Sequence, residues 1–355
     1  MGIDTVKTYF GDLQVEPEVI QGDFDNLPII DVASLDSPDI EARKQLAAQI
    51  FDACTRVGFF YITNHGIPSG TIDAVHSAAR QFFALPEGQK LECFLGKSNR
   101  FHGYSPLGGE HSDKELFGEQ TNLSESFDIG YDIECDPDKS CTDRLPPDMY
   151  KLYGGNLWPS PDVLPGFKET YIEYFKACLC LSRKLMRIFA LALGLEEDYF
   201  VRFVTFPGCI SRILHYPPQP VPGEKKVGIE AHTDYECFTI LSQDEVPALQ
   251  VLNTRRQWVN APPLPGTLVV NIGDFLAFWT DGNFRSTVHR ATNLTGQDRY
   301  SIPFFFGVNY DATIEVLETC RKGATGKSVK AGEYVRERLS KSYIPFGQKP
   351  PTTSA

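Results

Sequence analysis

Between residues 209 and 306 the chain alternates short apolar segments with Pro, Gly and Asp, and this pattern limits the fold to a few architectures. Short segments of this kind, bounded by turn-forming residues, are typical of β-strands. We predict strands at 209–216, 238–242, 248–252, 267–272, 275–279 and 299–306, and a tight hairpin at Asp281-Gly282. Many short strands without intervening helices favour a β-sandwich or barrel.

Helical spacing of apolar residues characterises the segments on either side of these strands. Ser37-Pro38 predicts a helix start, and Gly58 ends that helix. A second helix carries Ile72, Val75, Ala79 and Phe82 on one face and ends before Pro86. We also predict strands at 27–31 and 59–62, a long loop at 95–145, the longest helix at 167–193 and a closing helix at 331–343, with an arm at 1–26 and a tail from residue 349.

The composition is that of a globular chain with an acidic surface. The 355 residues are 42% hydrophobic and carry a net charge of −12, which disfavours nucleic acid as a partner. The nine cysteines are scattered and odd in number, so we expect reduced thiols in a cytoplasmic protein. We see no signal peptide and no membrane-spanning run, expect no membrane partner, and take a monomer as the default.

Three side chains within the strand-rich region have the chemistry of metal ligands. His232 and Asp234 are two residues apart, so on a strand they point to the same face. His289 follows 55 residues after Asp234. Two imidazoles and one carboxylate on one side of a metal leave the other side open, as in non-haem Fe(II) oxygenases. By contrast, we interpret His65, in a turn beside Gly66, as structural.

A second pair lies ten residues beyond His289. Arg299 and Ser301 are also two residues apart and share a strand face. A guanidinium group beside a hydroxyl suits a bound carboxylate, because the planar guanidinium donates two parallel hydrogen bonds. The sequence therefore predicts a carboxylate-binding site near the candidate metal ligands.

These motifs resemble the isopenicillin N synthase-like branch of the 2-oxoglutarate/Fe(II)-dependent dioxygenases. The N-terminal half contributes residues 58–67 (GFFYITNHGI) and 123–130 (LSESFDIG) to the resemblance. The remaining matches are residues 212–218 (RILHYPP), 228–234 (GIEAHTD), 248–251 (ALQV), 270–274 (VNIGD), 286–290 (STVHR) and 299–305 (RYSIPFF).

The resemblance implies an α+β protein with a double-stranded β-helix, or jelly-roll, core, flanked by N-terminal helices and a C-terminal helix. Its implied parts are an N-terminal helical and strand region at 1–150, a long backing helix at 151–208, the Fe(II)/2-oxoglutarate jelly roll at 209–315, and a C-terminal helix and tail at 316–355.

The implied enzyme is an Fe(II)- and 2-oxoglutarate-dependent dioxygenase that also consumes O2. His232, Asp234 and His289 would bind the metal, and Tyr216, Arg299 and Ser301 the 2-oxoglutarate. Succinate and CO2 would be released while the substrate undergoes hydroxylation, desaturation or ring formation. Many plant members have Asn two residues before the Tyr-Pro pair, whereas this chain has Leu214. That polar contact is therefore not carried over.

Three alternatives remain open from the residues. The same ligands serve Fe(II) oxidases of this branch that do not use 2-oxoglutarate, in which Arg-x-Ser holds a substrate carboxylate. A non-catalytic metal-binding jelly roll and a zinc hydrolase also fit two His and one Asp. The intact triad together with the Arg299-x-Ser301 pair disfavours the non-catalytic jelly roll, and the Arg299-x-Ser301 pair also disfavours the zinc hydrolase.

The substrate is expected to be a small organic molecule, such as a specialised metabolite. Arg100, Phe101 and Tyr104 lie in the long predicted loop and are candidates for the substrate pocket. Phe305 shares the strand face of Arg299 and Ser301, so it is a fourth candidate. The alternative for the three loop residues is a solvated loop with local packing, and the alternative for Phe305 is that it only fills the barrel.

Overall fold

An eight-stranded sheet is the largest element of the computed structural model, which describes residues 4–8, 11–15, 27–109, 122–218, 228–323 and 328–343. Neighbouring strands are antiparallel, except that the first two in spatial order are parallel. The spatial order is β3 (Ile29–Asp31), β4 (Phe59–Thr63), β12 (Leu268–Ile272), β9 (Phe238–Gln243), β14 (Arg299–Asn309), β7 (Pro207–Tyr216), β6 (Glu125–Gly130) and β5 (Gly103–Ser105).

A four-stranded antiparallel sheet faces the large one. Its order is β11 (Trp258–Asn260), β10 (Leu249–Leu252), β13 (His289–Ala291) and β8 (Ile229–His232). From β7 to β14 the chain passes back and forth between the two sheets, which gives the expected double-stranded β-helix, or jelly roll. Two small antiparallel pairs are the remaining strands of the described residues: β1 (Asp4–Thr8) with β2 (Gly11–Val15), and β15 (Thr313–Glu315) with β16 (Ser328–Lys330).

Alternation along the strands separates an outer core from an inner cavity. On β12, Leu268 and Val270 pack into the large core beneath the helices, whereas Val269 packs with Leu249 and Val251 of the small sheet. Because successive strand residues point to opposite faces, β12 contributes both to the helix-covered face and to the inner face.

Six helices flank the sheets in the described part of the chain: α1 (Ile40–Arg56), α2 (Ser69–Phe83), α3 (Glu87–Lys90), α4 (Phe167–Ala192), α5 (Asp274–Trp279) and α6 (Ala331–Ser342). The longest, α4, packs on the outer face of the large sheet, where the rings of Phe175 and Phe304 meet edge to face at 4.9 Å. Phe175 is fully buried, so its truncation to Ala would cost about 3–5 kcal/mol. None of the described helices is both long and apolar enough to cross a membrane.

The predicted helices at 167–193 and 331–343 are confirmed within two residues at each end. Gly194 has a φ of +70°, the left-handed conformation that ends a helix. The first helix begins at Ile40 rather than at Ser37-Pro38, because the side chain of Asp39 accepts a hydrogen bond from the Glu41 amide at 3.0 Å and caps it.

The predicted strand at 275–279 is wrong, since Asp274–Trp279 is the helix α5. All six residues of α5 are buried, and a short apolar run that is buried on every side does not distinguish a strand from a helix. The turn at Asp281-Gly282 exists, with φ values of +51° and +71°, but it follows this helix and joins no hairpin.

Several strands lie where none was predicted. The expected arm contains the β1–β2 pair, and the expected long loop contains β5 and β6. In the core, β8, β11 and β13 have three or four residues each, too few for alternation to be read from sequence. The predicted tail from residue 349 lies outside the described residues.

Candidate active site

Two short strands of the small sheet bring the three predicted metal ligands together. His232 ends β8 and pairs directly with His289, which begins β13. Asp234 follows β8, and its Oδ1 lies 3.6 Å from His232 Nε2 and 3.5 Å from His289 Nε2. One ligand atom from each side chain therefore falls within 4.8 Å of the other two, a spacing that suits a single metal ion.

Hydrogen bonds from each imidazole set the tautomer that a metal requires. His232 Nδ1 lies 2.7 Å from the Glu230 carbonyl oxygen, and His289 Nδ1 lies 3.1 Å from the Thr287 carbonyl oxygen. A carbonyl only accepts, so both Nδ1 atoms carry the proton and both Nε2 lone pairs face the common point. Burial and the neighbouring His232 lower the pKa of His289 to about 4, which keeps its imidazole neutral.

The carboxylate of Asp234 is held in the same manner. Its Oδ2 accepts hydrogen bonds from the Thr239 hydroxyl and from Asn271 Nδ2, the latter at 2.7 Å, and this leaves Oδ1 for a metal. Burial raises the pKa of Asp234, but the two histidines and these hydrogen bonds outweigh burial and lower it. The group is therefore ionised at neutral pH, as a ligand must be.

The triad lies in the wall of a cavity of about 150 Å³ between the two sheets. Roughly 10–15 Å³ is enough for one water molecule, so this space admits a small organic molecule. The β14 residues that line it are Arg299, Ser301, Pro303 and Phe305, as strand alternation predicts. Tyr300, Ile302 and Phe304 point to the other side, toward the helices.

Arg299 is a buried cation at one end of this cavity, with only 1% of its surface exposed. Its guanidinium contacts Ser301 Oγ at 3.3 Å, Gln243 Oε1 at 3.1 Å and the Val246 carbonyl oxygen at 3.3 Å. Its Cζ lies 4.7 Å from the ring centroid of Tyr216. All three hydrogen-bond partners are neutral, and no carboxylate of the described residues forms an ion pair with it. The cavity therefore contains a positive charge that an anionic ligand would neutralise.

Arg212 on β7 is a third charged group of the cavity wall, which sequence analysis missed as a site residue. It makes two hydrogen bonds to Asp128 on β6, at 2.9 and 3.1 Å, and its Cζ lies 5.2 Å from the ring of Tyr343, directly after α6. Tyr343 in turn donates its hydroxyl to Asp128 at 2.6 Å. Alternation along the predicted strand 209–216 could have identified it, because residues 212 and 216 lie on the same face of that strand.

Glu236 also lines the cavity and was likewise not predicted. It is 4% exposed, and neither carboxylate oxygen has a hydrogen-bond partner among the described residues. Burial raises its pKa well above the ordinary value for a glutamate. A buried polar group without a partner costs roughly 1–3 kcal/mol or more, so this side chain requires an explanation.

The three loop candidates lie outside the cavity wall. Arg100 binds Asp148 at 2.6 Å, Phe101 packs 6.1 Å from the Tyr343 ring, and Tyr104 donates its hydroxyl to Glu125 at 2.6 Å. None of the three is among the residues that line the cavity, and β5, which contains Tyr104, runs at the far edge of the large sheet. Their role in substrate binding stays a prediction. His65 accepts the Ile67 amide hydrogen bond at 3.2 Å in a turn, in line with a structural role.

A jelly roll that presents two histidines and an aspartate to one point, beside a buried arginine, has the arrangement of a mononuclear non-haem iron oxygenase. Comparison with known proteins agrees. Residues 27–161 match the N-terminal model of the non-haem dioxygenases in morphine synthesis, and residues 207–308 match the model of the 2OG-Fe(II) oxygenase superfamily. The chain belongs to the 2OG-Fe(II) oxygenase superfamily.

Individual relatives cover almost the whole chain. The 2-oxoglutarate-Fe(II) type oxidoreductase ppzC of Metarhizium majus is 39% identical, over 88% of this chain and 86% of its own length. A homoarginine-6-hydroxylase of Oryza sativa is 33% identical, over 91% and 99% respectively. A Neurospora crassa protein solved in complex with alpha-KG and thymine superposes with a TM-score of 0.76 at 29% identity, and the match covers 90% of this chain and 98% of that one. The protein is thus a 2-oxoglutarate-dependent oxidoreductase that uses Fe(II) and O2.

Proposed function

We propose that His232, Asp234 and His289 bind the Fe(II), and that Arg299, with Ser301 and Tyr216, binds the distal carboxylate of 2-oxoglutarate. The observation that carries this proposal is the buried Arg299 guanidinium, which has no carboxylate partner among the described residues and shares one cavity with the triad. The donor set fits the metal, since neutral imidazoles and a carboxylate suit a divalent iron.

Bound Fe(II) would supply O2 activation coupled to the decarboxylation of 2-oxoglutarate to succinate. The protein's own contribution is orientation. Thr239 and Asn271 fix the Asp234 carboxylate, and the Glu230 and Thr287 carbonyls fix the two imidazoles. Residues such as Phe305 and Leu339 line the remaining cavity with apolar surface and help to exclude water from the reacting centre.

We infer a small organic substrate, in keeping with a specialised metabolite. Support comes from the cavity volume and from the relatives, one of which is named for homoarginine and another of which was solved with thymine. Both molecules are small and contain nitrogen. The nine cysteines are all unpaired, which supports a reducing compartment such as the cytoplasm.

The proposal is tested by succinate formation in the presence of Fe(II), O2 and varied 2-oxoglutarate. Arg299→Ala should raise the 2-oxoglutarate concentration for half-maximal succinate formation by roughly 10- to 100-fold, because a charge-assisted contact is worth about 1.5–3 kcal/mol. Arg299→Lys should rescue only in part, since an ammonium cannot reproduce the paired hydrogen bonds of a guanidinium.

Arg290 provides a matched control, because it lines the same cavity from the small sheet. Arg290→Lys should leave the 2-oxoglutarate requirement within a few fold of the wild type. If Arg299→Ala and wild type required the same 2-oxoglutarate concentration, or if turnover proceeded without 2-oxoglutarate, the assignment of Arg299 would be wrong.

A further inference from the structure

Gly307 leaves room for the carboxylate of Glu236 at the end of the cavity wall. It lies two residues beyond Phe305 on β14, and a Cβ at this position would come within 1.8 Å of Glu236 Oε2. The backbone of Gly307 has no positive φ, so its conformation does not require glycine. We conclude that glycine at this position leaves the space that the Glu236 carboxylate occupies.

The carboxyl group of Glu236 is the one without a hydrogen-bond partner among these cavity groups. Arg212 is already paired with Asp128, and the Asp234 carboxylate accepts hydrogen bonds from Thr239 and Asn271. Arg299 contacts Gln243 and Val246 and is proposed above to bind 2-oxoglutarate. Both oxygens of Glu236, by contrast, are buried without a hydrogen-bond donor in the described part of the chain.

We propose that Glu236 binds a cationic nitrogen of the substrate, an ammonium or a guanidinium group. This inference rests on the proposed function, because it assigns a substrate class to the same cavity. Glu236 follows the metal ligand Asp234 by two residues, and Ile210, Phe305 and Val335 line the same cavity. A substrate anchored by its cation at Glu236 would extend an apolar chain along these residues toward the triad.

A matched pair of probes isolates the charge. n-Pentylguanidinium and n-pentylurea have similar shape, but only the first is a cation. We would measure the dissociation constant of each by calorimetry with the full-length protein loaded with Ni(II) and 2-oxoglutarate, which prevents turnover. Wild type should bind the cation at least tenfold more tightly than the urea, and Glu236→Gln should reduce this ratio to near one.

Glu230→Gln is the control, because Glu230 is another glutamate that lines the cavity. The cation preference should persist in this variant. If Glu230→Gln lost the preference and Glu236→Gln kept it, Glu230 rather than Glu236 would bind the cation, and the proposal would be wrong. Equal affinity of the wild type for both probes would also overturn it. Gly307→Ala gives an independent check, since displacement of the Glu236 carboxylate should also weaken the preference.

Two further measurements separate this inference from the function on which it rests. Succinate release by the Fe(II)- and 2-oxoglutarate-loaded wild type tests the function alone. If succinate forms and the cation preference is absent, only the role of Glu236 fails; if no succinate forms, the proposed function fails. Melting temperature and 2-oxoglutarate affinity of each variant show that it is folded, so a lost preference is not a lost fold.

Discussion

At the scale of single residues, each proposed metal ligand has one atom fixed by the protein and another left for the metal. We expect His232→Ala, Asp234→Ala and His289→Ala each to abolish 2-oxoglutarate turnover, because two remaining ligands hold iron poorly. Succinate formation and bound metal, measured on protein whose melting temperature is known, check this expectation. Full activity in any one variant would remove that residue from the metal site.

Phe305 lines the cavity, and its ring also lies 5.9 Å from Arg212 Cζ. If it contacts the substrate, Phe305→Leu should change the product distribution or raise succinate release uncoupled from product, with the 2-oxoglutarate requirement intact. If it only fills space, the substitution should lower stability by about 1 kcal/mol and leave the chemistry unchanged. Melting temperature, product profile and coupling ratio together decide between these roles. A lower melting temperature alone would remove Phe305 from the substrate site.

At the scale of elements, His215 ties three strands of the large sheet on the side opposite the cavity. Glu125, His215 and Tyr300 are direct neighbours across β6, β7 and β14. His215 Nδ1 lies 2.8 Å from Glu125, its Nε2 lies 2.7 Å from Asp298, and its ring stacks on Tyr300 at 4.8 Å. Because both nitrogens face carboxylates, the arrangement favours the imidazolium form.

This contact predicts a pH-dependent stability. Burial alone would lower the pKa of His215, but the hydrogen bonds and charges of Glu125 and Asp298 raise it above its ordinary value. A raised pKa in the folded state gives stabilisation that is complete below the unfolded-state pKa of about 6.5 and is lost as pH rises through the folded-state pKa.

His215→Gln should therefore cost about 2 kcal/mol of unfolding free energy below pH 6.5, and progressively less at higher pH. Denaturant unfolding of both proteins across this range measures the difference. Asp298→Asn, which removes one of the two carboxylates, should flatten the pH dependence in part. A difference between wild type and His215→Gln that grows with pH would contradict this account.

Local sequence patterns predicted the elements with clear periodicity, such as α4 and β14, and strand alternation predicted which β14 residues face the cavity. They failed where burial on all sides removes periodicity, as in α5, and where strands are very short, as in β8 and β13. Arg212 could have been found by alternation along β7. Glu236 could not, because it lies on no strand and the space for its carboxylate is left by Gly307, which is 71 residues further along the chain.

At the scale of the whole molecule, the two sheets of the jelly roll converge on one cavity, so ligands bound there connect distant parts of the chain. The proposed metal ligands lie on and beside β8 and β13 of the small sheet, whereas the proposed 2-oxoglutarate residues lie on β7 and β14 of the large sheet. Bound metal and 2-oxoglutarate together should therefore stabilise the packing of one sheet on the other.

We expect Ni(II) and 2-oxoglutarate, each at about 100 times its dissociation constant, to raise the unfolding free energy by roughly 2.7 kcal/mol per ligand, because each binds only the folded state. Melting temperature should rise by a few degrees with Ni(II), and further when 2-oxoglutarate is added. Arg299→Ala should lose the second increment and keep the first, whereas Asp234→Ala should lose both if 2-oxoglutarate binds through the metal. An equal 2-oxoglutarate increment in Arg299→Ala and wild type would show that its carboxylate binds elsewhere.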